Sequence, residues 1–377
     1  MGRDGEEIIL NPFELGVAHD HIARKNNPTP LLFFGVIPDG EYKIKLWVKM
    51  DTLNEGGSFK DRGSEYFVHK AVNDGRVKKR EMIVTASAGN HGKGVARTAR
   101  DHGLKAVIFM PYSTPVIKVE GIKELGGEVR FVNGTYNDAA REAKKFSDEN
   151  NVVYAPAYEH SDIIIGQSTV VTEALMQAFW KGVNPDFFVF PFGGGGLAVG
   201  GGFALKNHQK EFGKKIFAFG VQAERFNTAY MSFKAGKLAE YSDKGDTIAD
   251  GIRVPNASEK MLKLALKYID EMFCVTEEQI KSAIRRVYNS ELITDLQRLS
   301  AEELEASHGF YHNHTKRVGG MNRVEGAAAA AFGCVFEGMI NYGKIGMING
   351  KKELTGVIIA SGNNIDAGLL DGILGKS

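Results

Sequence analysis

One recurring unit constrains the fold of this chain more than anything else: a short apolar run, then a glycine turn, then an amphipathic stretch. Met82-Ile83-Val84-Thr85 leads into Ser87-Ala88-Gly89-Asn90-His91-Gly92, and a helical pattern through Val95, Ala96 and Ala99 follows. Lys105 to Met110 reads as a strand stopped at Pro111, Lys118 to Leu125 as a helix closed by Gly126-Gly127, and Glu128 to Val132 as a strand. Phe187 to Phe190 runs into Gly193-Gly194-Gly195-Gly196, with Leu197 to Lys206 helical behind it. Ile216 to Val221 and Leu354 to Ile359 complete the series, the last ending at Ser361-Gly362. Strands that are apolar throughout need cover on both faces, so their alternation with helices predicts an α/β fold built on parallel sheet. Ligands of such sheets bind at the carboxyl ends of the strands, which is where these three turns fall. No fixed-period repeat is visible.

The 377 residues allow two domains, each with its own core. A formal charge of +1 excludes nucleic-acid binding by bulk basicity, and a hydrophobic content of 43% excludes a disordered chain. No apolar run reaches the length of a membrane span. The opening MGRDGEEIIL places acids where a secretory signal needs bases, and Glu6 breaks the myristoylation pattern. Two cysteines, Cys274 and Cys334, cannot supply a disulfide framework for this length. A cytoplasmic chain with a small-molecule ligand is expected, without a membrane or nucleic-acid partner.

The turns differ in what they can hold. Four glycines at 193–196, between strand and helix, leave peptide N–H groups free to converge on one anion, with the helix dipole behind them. This suits a phosphate, although the Gly-Lys-Ser/Thr ending of a nucleotide P-loop is missing. Gly193, Gly195 and Ala198 also meet a loose dinucleotide fingerprint, with a second strand ending near Glu224. Close helix–strand packing is the plainer explanation, and Gly200-Gly201-Gly202 in the next helix indicates the same demand. The turn from Ser87 to Gly92 suits a carboxylate, with Ser87, Asn90 and His91 as added donors, or is simply a capping turn. In Gly56-Gly57-Ser58-Phe59-Lys60-Asp61-Arg62-Gly63, a lysine beside an aromatic ring and a glycine-rich loop can be desolvated, which frees its amine for Schiff-base chemistry. Most lysines are merely solvated, and Asp61 and Arg62 read as ion-pair or capping groups. His308, His312 and His314 lack a Cys or acidic partner at a known ligand spacing, so they read as solvated loop residues.

Together these segments resemble the fold-type II pyridoxal-phosphate enzymes, in the threonine/serine ammonia-lyase (dehydratase) branch. The Lys60 segment, Thr29-Pro30-Leu31, the Ser87–Gly92 turn, Gly166-Gln167, the tetraglycine turn, Thr247 to Gly251, Glu325 to Ala328 and Ser361 to Asn364 occur in the family's order, across roughly residues 25–370 apart from 285–323. The resemblance implies a tryptophan-synthase-β-like architecture: two three-layer parallel-sheet domains with the cofactor in the cleft between them. The large cofactor-binding domain would be 1–64 and 161–377, the small substrate-carboxylate domain 65–160, and 285–323 an inserted lid or interface segment. Lys60 would hold pyridoxal 5'-phosphate as a Schiff base, Phe59 would pack on its ring, and Asn90 would bond the ring oxygen. Gly193, Gly194, Gly195, Gly196 and Leu197 would cradle its phosphate. Glu325 would contribute to the cofactor site and Ser361 would face the pyridine nitrogen. Ser87, Ala88, Gly89, Asn90 and His91 would bind the substrate carboxylate.

The implied reaction is β-elimination of water from threonine or serine, giving a 2-oxo acid and ammonia. A serine opposite the ring nitrogen makes a weaker electron sink than a carboxylate, which favours prompt elimination over transamination. The family's racemases carry a serine where this chain has Ala88, diaminopropionate lyases carry an acid there, and synthases usually have Thr where His91 stands. All three positions point to a lyase. Gln222 and Thr228 occupy positions where many relatives bind a divalent cation, so no metal is expected there, although Glu224 is close by. The chain ends shortly after Ser361, so isoleucine feedback through a C-terminal regulatory domain is not expected. A homodimer is a family expectation. Elimination or replacement on a larger or phosphorylated amino acid, as in threonine synthase, is the alternative, and a dinucleotide-binding oxidoreductase a more distant one.

Overall fold

The computed structural model describes residues 7–26, 28–241, 245–290 and 324–375. The elements in chain order are α1 (Pro12–Lys25), β1 (Leu31–Asp39), β2 (Tyr42–Lys49), α2 (Lys60–Asn73), β3 (Met82–Ala86), α3 (Asn90–Asp101), β4 (Lys105–Pro111) and α4 (Val116–Glu124). Then come β5 (Gly127–Val132), α5 (Tyr136–Glu149), β6 (Val153–Tyr154), α6 (Ser161–Trp180), β7 (Phe187–Pro191), α7 (Gly196–Phe212) and β8 (Phe217–Ala223). The remainder are α8 (Thr228–Ala235), α9 (Glu259–Tyr268), β9 (Glu271–Val275), α10 (Glu277–Tyr288), α11 (Gly326–Phe336), α12 (Tyr342–Asn349), β10 (Glu353–Ile359) and α13 (Ala367–Leu374).

These elements form two compact units, Met1–Asn26 with Asn54–Gln167, and Asn27–Leu53 with Ser168–Ser377. The division places residues 1–26, 54–64 and 161–167, Lys60 among them, in the unit with the smaller sheet, where the sequence expectation had them in the large domain. That sheet has the order β5-β4-β3-β6, with every pairing parallel. One face packs Ile83, Ala106 and Ile108 against Val95, Ala96 and Ala99 of α3, and the other packs Val84 and Val107 against Ala139 and Ala143 of α5. Thr135 starts α5 with a capping box, its hydroxyl accepting from Asp138 N–H while the Asp138 carboxylate accepts from Thr135 N–H.

The sheet of the other unit has the order β1-β2-β10-β7-β8-β9. Five of its strands run parallel, as the apolar runs predict, while β1 pairs antiparallel with β2 in a hairpin that the sequence reading did not anticipate. The reason lies in β1 itself: Gly35 and Pro38 interrupt its pattern, a register shift falls at Phe33/Gly35, and most of its residues are partly exposed. Those are properties of an edge strand rather than a buried one. The alanine-rich α11 is buried along its length in this unit's main core, beside Val189, Phe219 and Ile358. The glycines within α7 serve close packing as expected, since a Cβ on Gly201 would lie 2.4 Å from the Phe190 ring and one on Gly202 would lie 2.3 Å from the Tyr268 carbonyl oxygen.

Candidate active site

In the first unit, the loop Gly56-Gly57-Ser58 is closed onto the start of α2 by Asp61, whose carboxylate accepts the Gly56 N–H at 2.7 Å. Asp61 is itself buried and paired with Arg97 of α3 at 3.2 Å. The sequence reading of Asp61 as a capping and ion-pair group is therefore correct, with the added consequence that it fixes the approach to Lys60. Lys60 opens α2, and its N–H donates to the Ser58 hydroxyl at 3.3 Å. Its amine donates to the Ala157 carbonyl at 2.8 Å and stands 5.1 Å from the Phe59 ring centroid.

Helix α3 begins directly after β3. Its N-cap is Gly89 and no side chain caps it, although Ser87 and Asn90 are both residue types that do so elsewhere. Ser87 is diverted: its hydroxyl accepts the Gly89 N–H at 3.1 Å, and its own N–H extends the ladder to the Phe109 carbonyl at 3.1 Å. The first turn of an α-helix leaves peptide N–H groups without intrahelical acceptors, which makes a helix start of this kind suited to an anion. Gly94 brings the two helix starts together. A Cβ there would lie 3.2 Å from both the carbonyl carbon and oxygen of Lys60, so only glycine allows α3 to approach the Lys60 backbone this closely. Lys60 and the Ser87–His91 turn thus adjoin within one unit.

His91 is buried, and its Nε2–H donates to the Ala155 carbonyl at 3.1 Å. Burial, then the nearby Lys60 charge, push its pKa down to about 3, which makes it a neutral imidazole at working pH. Ala155 also accepts from the Thr85 hydroxyl at 2.7 Å. The segment after β6 therefore organises both His91 and Lys60 through peptide carbonyls, a role the sequence reading missed. The two residues of β6 give almost no pattern, and a carbonyl acceptor leaves no side-chain signature.

In the second unit, β10 and β7 are parallel neighbours, with Gly356 opposite Phe187 and Ile358 opposite Val189. This register carries the Ser361 turn to the same sheet edge as the tetraglycine turn. Gly195 is the N-cap of α7, has φ +90°, and leaves the helix without a side-chain cap. That left-handed conformation suits glycine, and it turns successive amides toward one point. Gly193 packs so closely on residues 251–252 that a Cβ would lie 3.1 Å from Ile252 Cα. Glu325 and Ser361 are buried together, the Ser361 hydroxyl donating to the Glu325 carboxylate at 3.3 Å and Glu325 N–H to the Gly362 carbonyl at 2.9 Å. A Cβ on Gly362 would lie 2.5 Å from that carboxylate.

Gln222 accepts the Tyr230 N–H at 2.7 Å, and the Thr228 hydroxyl donates to the Pro255 carbonyl at 2.6 Å. The histidines at 308, 312 and 314, and positions 291–323 of the expected insertion, lie outside the described residues.

A parallel-sheet fold with uncapped helix starts at the strand ends, one beside a lysine amine, is an arrangement that can hold an organic phosphate and an aldehyde. The chain belongs to the pyridoxal-phosphate-dependent enzyme family: residues 22–297 match the family model of that description. It is 30% identical over 262 residues to the L-threonine dehydratase biosynthetic IlvA of Haemophilus influenzae, covering 70% of this chain and 48% of that protein. The L-threonine dehydratase catabolic TdcB of Staphylococcus aureus is 31% identical over 257 residues, 68% of this chain and 71% of that one. Among solved structures, the threonine deaminase of T.th. superposes with a TM-score of 0.74 at 25% identity, over 94% of this chain and 99% of that chain. The chain spans about half the length of the first curated relative. The fold is that of the fold-type II enzymes, and the family assignment replaces the dinucleotide reading of the glycine turn.

The side chains present fit the cofactor. Peptide N–H groups at a helix start suit a phosphate and a primary amine suits an aldehyde, so the groups present are of the chemical kinds the cofactor requires.

Proposed function

We propose that this chain removes water from a β-hydroxy amino acid, threonine or serine, and releases a 2-oxo acid and ammonia. Relatives named for threonine dehydratase and deaminase activity support the substrate class. The observation that carries the reading is the close approach of the Lys60 backbone to α3 at Gly94, with the Lys60 charge near enough to the buried His91 of that helix to depress its pKa. A base and an anion receiver that close together suit an amino acid, whose α-carbon lies next to its carboxylate.

Pyridoxal phosphate, when bound, supplies the electron sink that makes an α-proton removable. Lys60 anchors the group and, when its amine is free, takes the α-proton. Phe59 would support the ring, Asn90 would bond its oxygen, and the peptide N–H groups from Gly193 to Leu197 would hold the phosphate. Ser361 would face the ring nitrogen, where a serine rather than a carboxylate favours elimination, and Glu325, which accepts from Ser361, would contribute to the cofactor site. The substrate carboxylate sits on Ser87, Ala88, Gly89, Asn90 and His91. His91 is a positioning group there, because its imidazole stays neutral and its Nε2–H is committed to Ala155. The same reading has a cytoplasmic homodimer, as expected of the family.

The test is a panel of L-threonine, L-serine, O-phosphorylated and larger hydroxy amino acids given to the cofactor-loaded full chain. Ammonia and 2-oxo acid should appear in equal amounts from threonine or serine. Release only from phosphorylated or larger substrates would overturn the proposed specificity.

A further inference from the structure

Away from Lys60 and the Ser87–His91 turn, the first unit brings together three side chains that the reaction does not use. His21 is on α1, Glu65 on α2, and His102 at the C-cap of α3. Both imidazoles present Nε2 to the same carboxylate oxygen, Glu65 Oε1, at 2.9 Å for His21 and 2.8 Å for His102. All three donor atoms lie within 4.8 Å of one another. Glu65 is 1% exposed, while His21 and His102 are 12% and 14% exposed, so the cluster is anchored from beneath and open at its rim. We propose that His21, Glu65 and His102 form a binding site for one divalent transition-metal ion of the zinc type.

The donor set selects the ion. Two imidazole nitrogens and one carboxylate oxygen match Zn²⁺ and its neighbours in the first transition row, whereas Mg²⁺ and Ca²⁺ favour all-oxygen sites. Zn–N and Zn–O bonds of about 2.0–2.2 Å in a tetrahedron place donor atoms on the order of 3.3–3.5 Å apart. The two histidine–glutamate distances need to open by only about half an ångström to reach that spacing. Three protein ligands leave a fourth position for water.

The surroundings support the ligands as metal sites require. Glu65 Oε2 accepts from Arg97 at 3.4 Å, which orients the carboxylate and leaves Oε1 for the ion. Arg97 is also paired with Asp61 and Asp101, so its charge is divided among three carboxylates rather than concentrated on Glu65. The His69 ring stacks on His21 with centroids 3.6 Å apart and holds that imidazole in plane. A bound ion would staple α1, α2 and α3, the last two being the helices that start at Lys60 and Asn90. Its expected effect is on the rigidity of this unit, and the inference does not depend on the proposed substrate.

The experiment is equilibrium dialysis of the chelator-treated full chain against Zn²⁺, with thermal unfolding in parallel. The wild type should take up one equivalent, and its Tm should rise by roughly 5 °C at a hundredfold excess over Kd. His21→Ala should weaken binding at least about tenfold and cut the Tm rise at the same Zn²⁺ concentration by about half or more. His102→Gln is the second variant, because a glutamine N–H can still bond Glu65 while losing the imidazole ligand. If His102→Gln folds as the wild type does, it should show the same loss. Failure of the wild type to bind Zn²⁺ stoichiometrically overturns the proposal. So does binding that survives in both variants and disappears when His308, His312 and His314 are replaced.

Discussion

Replacing Gly94 with alanine isolates the contact that seats Lys60. The new Cβ would lie 2.9 Å from Ser64 Oγ and 3.2 Å from both the carbonyl carbon and oxygen of Lys60. The serine hydroxyl can rotate away, but the peptide of Lys60 cannot, so α2 must retreat by a few tenths of an ångström. Overpacking of this kind costs about 1–3 kcal/mol, against a helix-propensity gain of about 1 kcal/mol for any Gly→Ala change within a helix. Gly16 in α1 supplies the control, since a Cβ there meets nothing within 4 Å. Gly16→Ala should therefore stabilise by about 0.5–1 kcal/mol, with Gly94→Ala falling about 1–3 kcal/mol below it. Urea unfolding followed by circular dichroism reads both. A misplacement of 1 Å at a reacting group is worth about a hundredfold in rate, so a few tenths should lower the ammonia-release rate several-fold in Gly94→Ala alone. Equal stability changes in the two variants would refute the close approach. Full recovery in Gly94→Ala/Ser64→Ala would show that the hydroxyl, not the Lys60 backbone, is the obstacle, and the seating argument would fail.

Lys60→Ala should abolish ammonia release and the visible absorption of the reconstituted protein, and a variant that keeps both removes Lys60 from the site. Between about pH 6 and pH 3 the unfolded chain binds a proton at His91 that the folded chain refuses, because burial and Lys60 push the folded pKa down to about 3 from 6.5. Stability should then fall with falling pH by up to about 1.4 kcal/mol per unit, and His91→Gln should flatten that part of the urea-midpoint profile. Arg97→Met leaves the buried carboxylates of Asp61 and Glu65 without their shared cation, and should destabilise by about 3–5 kcal/mol in urea. An unchanged urea midpoint in Arg97→Met would mean that the pairs contribute nothing. With Ala88 in place of a proton-carrying serine, L-serine incubated with the enzyme should yield no D-serine by chiral chromatography.

The strands of the parallel sheets were legible because burial on both faces leaves a continuous apolar run, as in Phe187 to Phe190 and Leu354 to Ile359. The β1–β2 hairpin was not legible, because an edge strand tolerates Gly35, Pro38 and partial exposure, and so loses the pattern that marks a strand. The glycine turns could be seen as anion receivers, yet whether their amides stay uncapped depends on where Ser87 and its neighbours direct their side chains.

The order of apolar runs and glycines by itself determined an α/β architecture with its turns at the carboxyl ends of strands, because backbone sterics and burial act locally along the chain. Only the folded structure decided which residues meet across it: Gly94 against Lys60, His91 and Lys60 on the carbonyls of Ala155 and Ala157, and His21 and His102 on one oxygen of Glu65. Such meetings depend on helix crossings and peptide carbonyls far apart in the chain. These leave little mark in sequence, since a carbonyl is the same in every residue and a crossing distance depends on both helices at once.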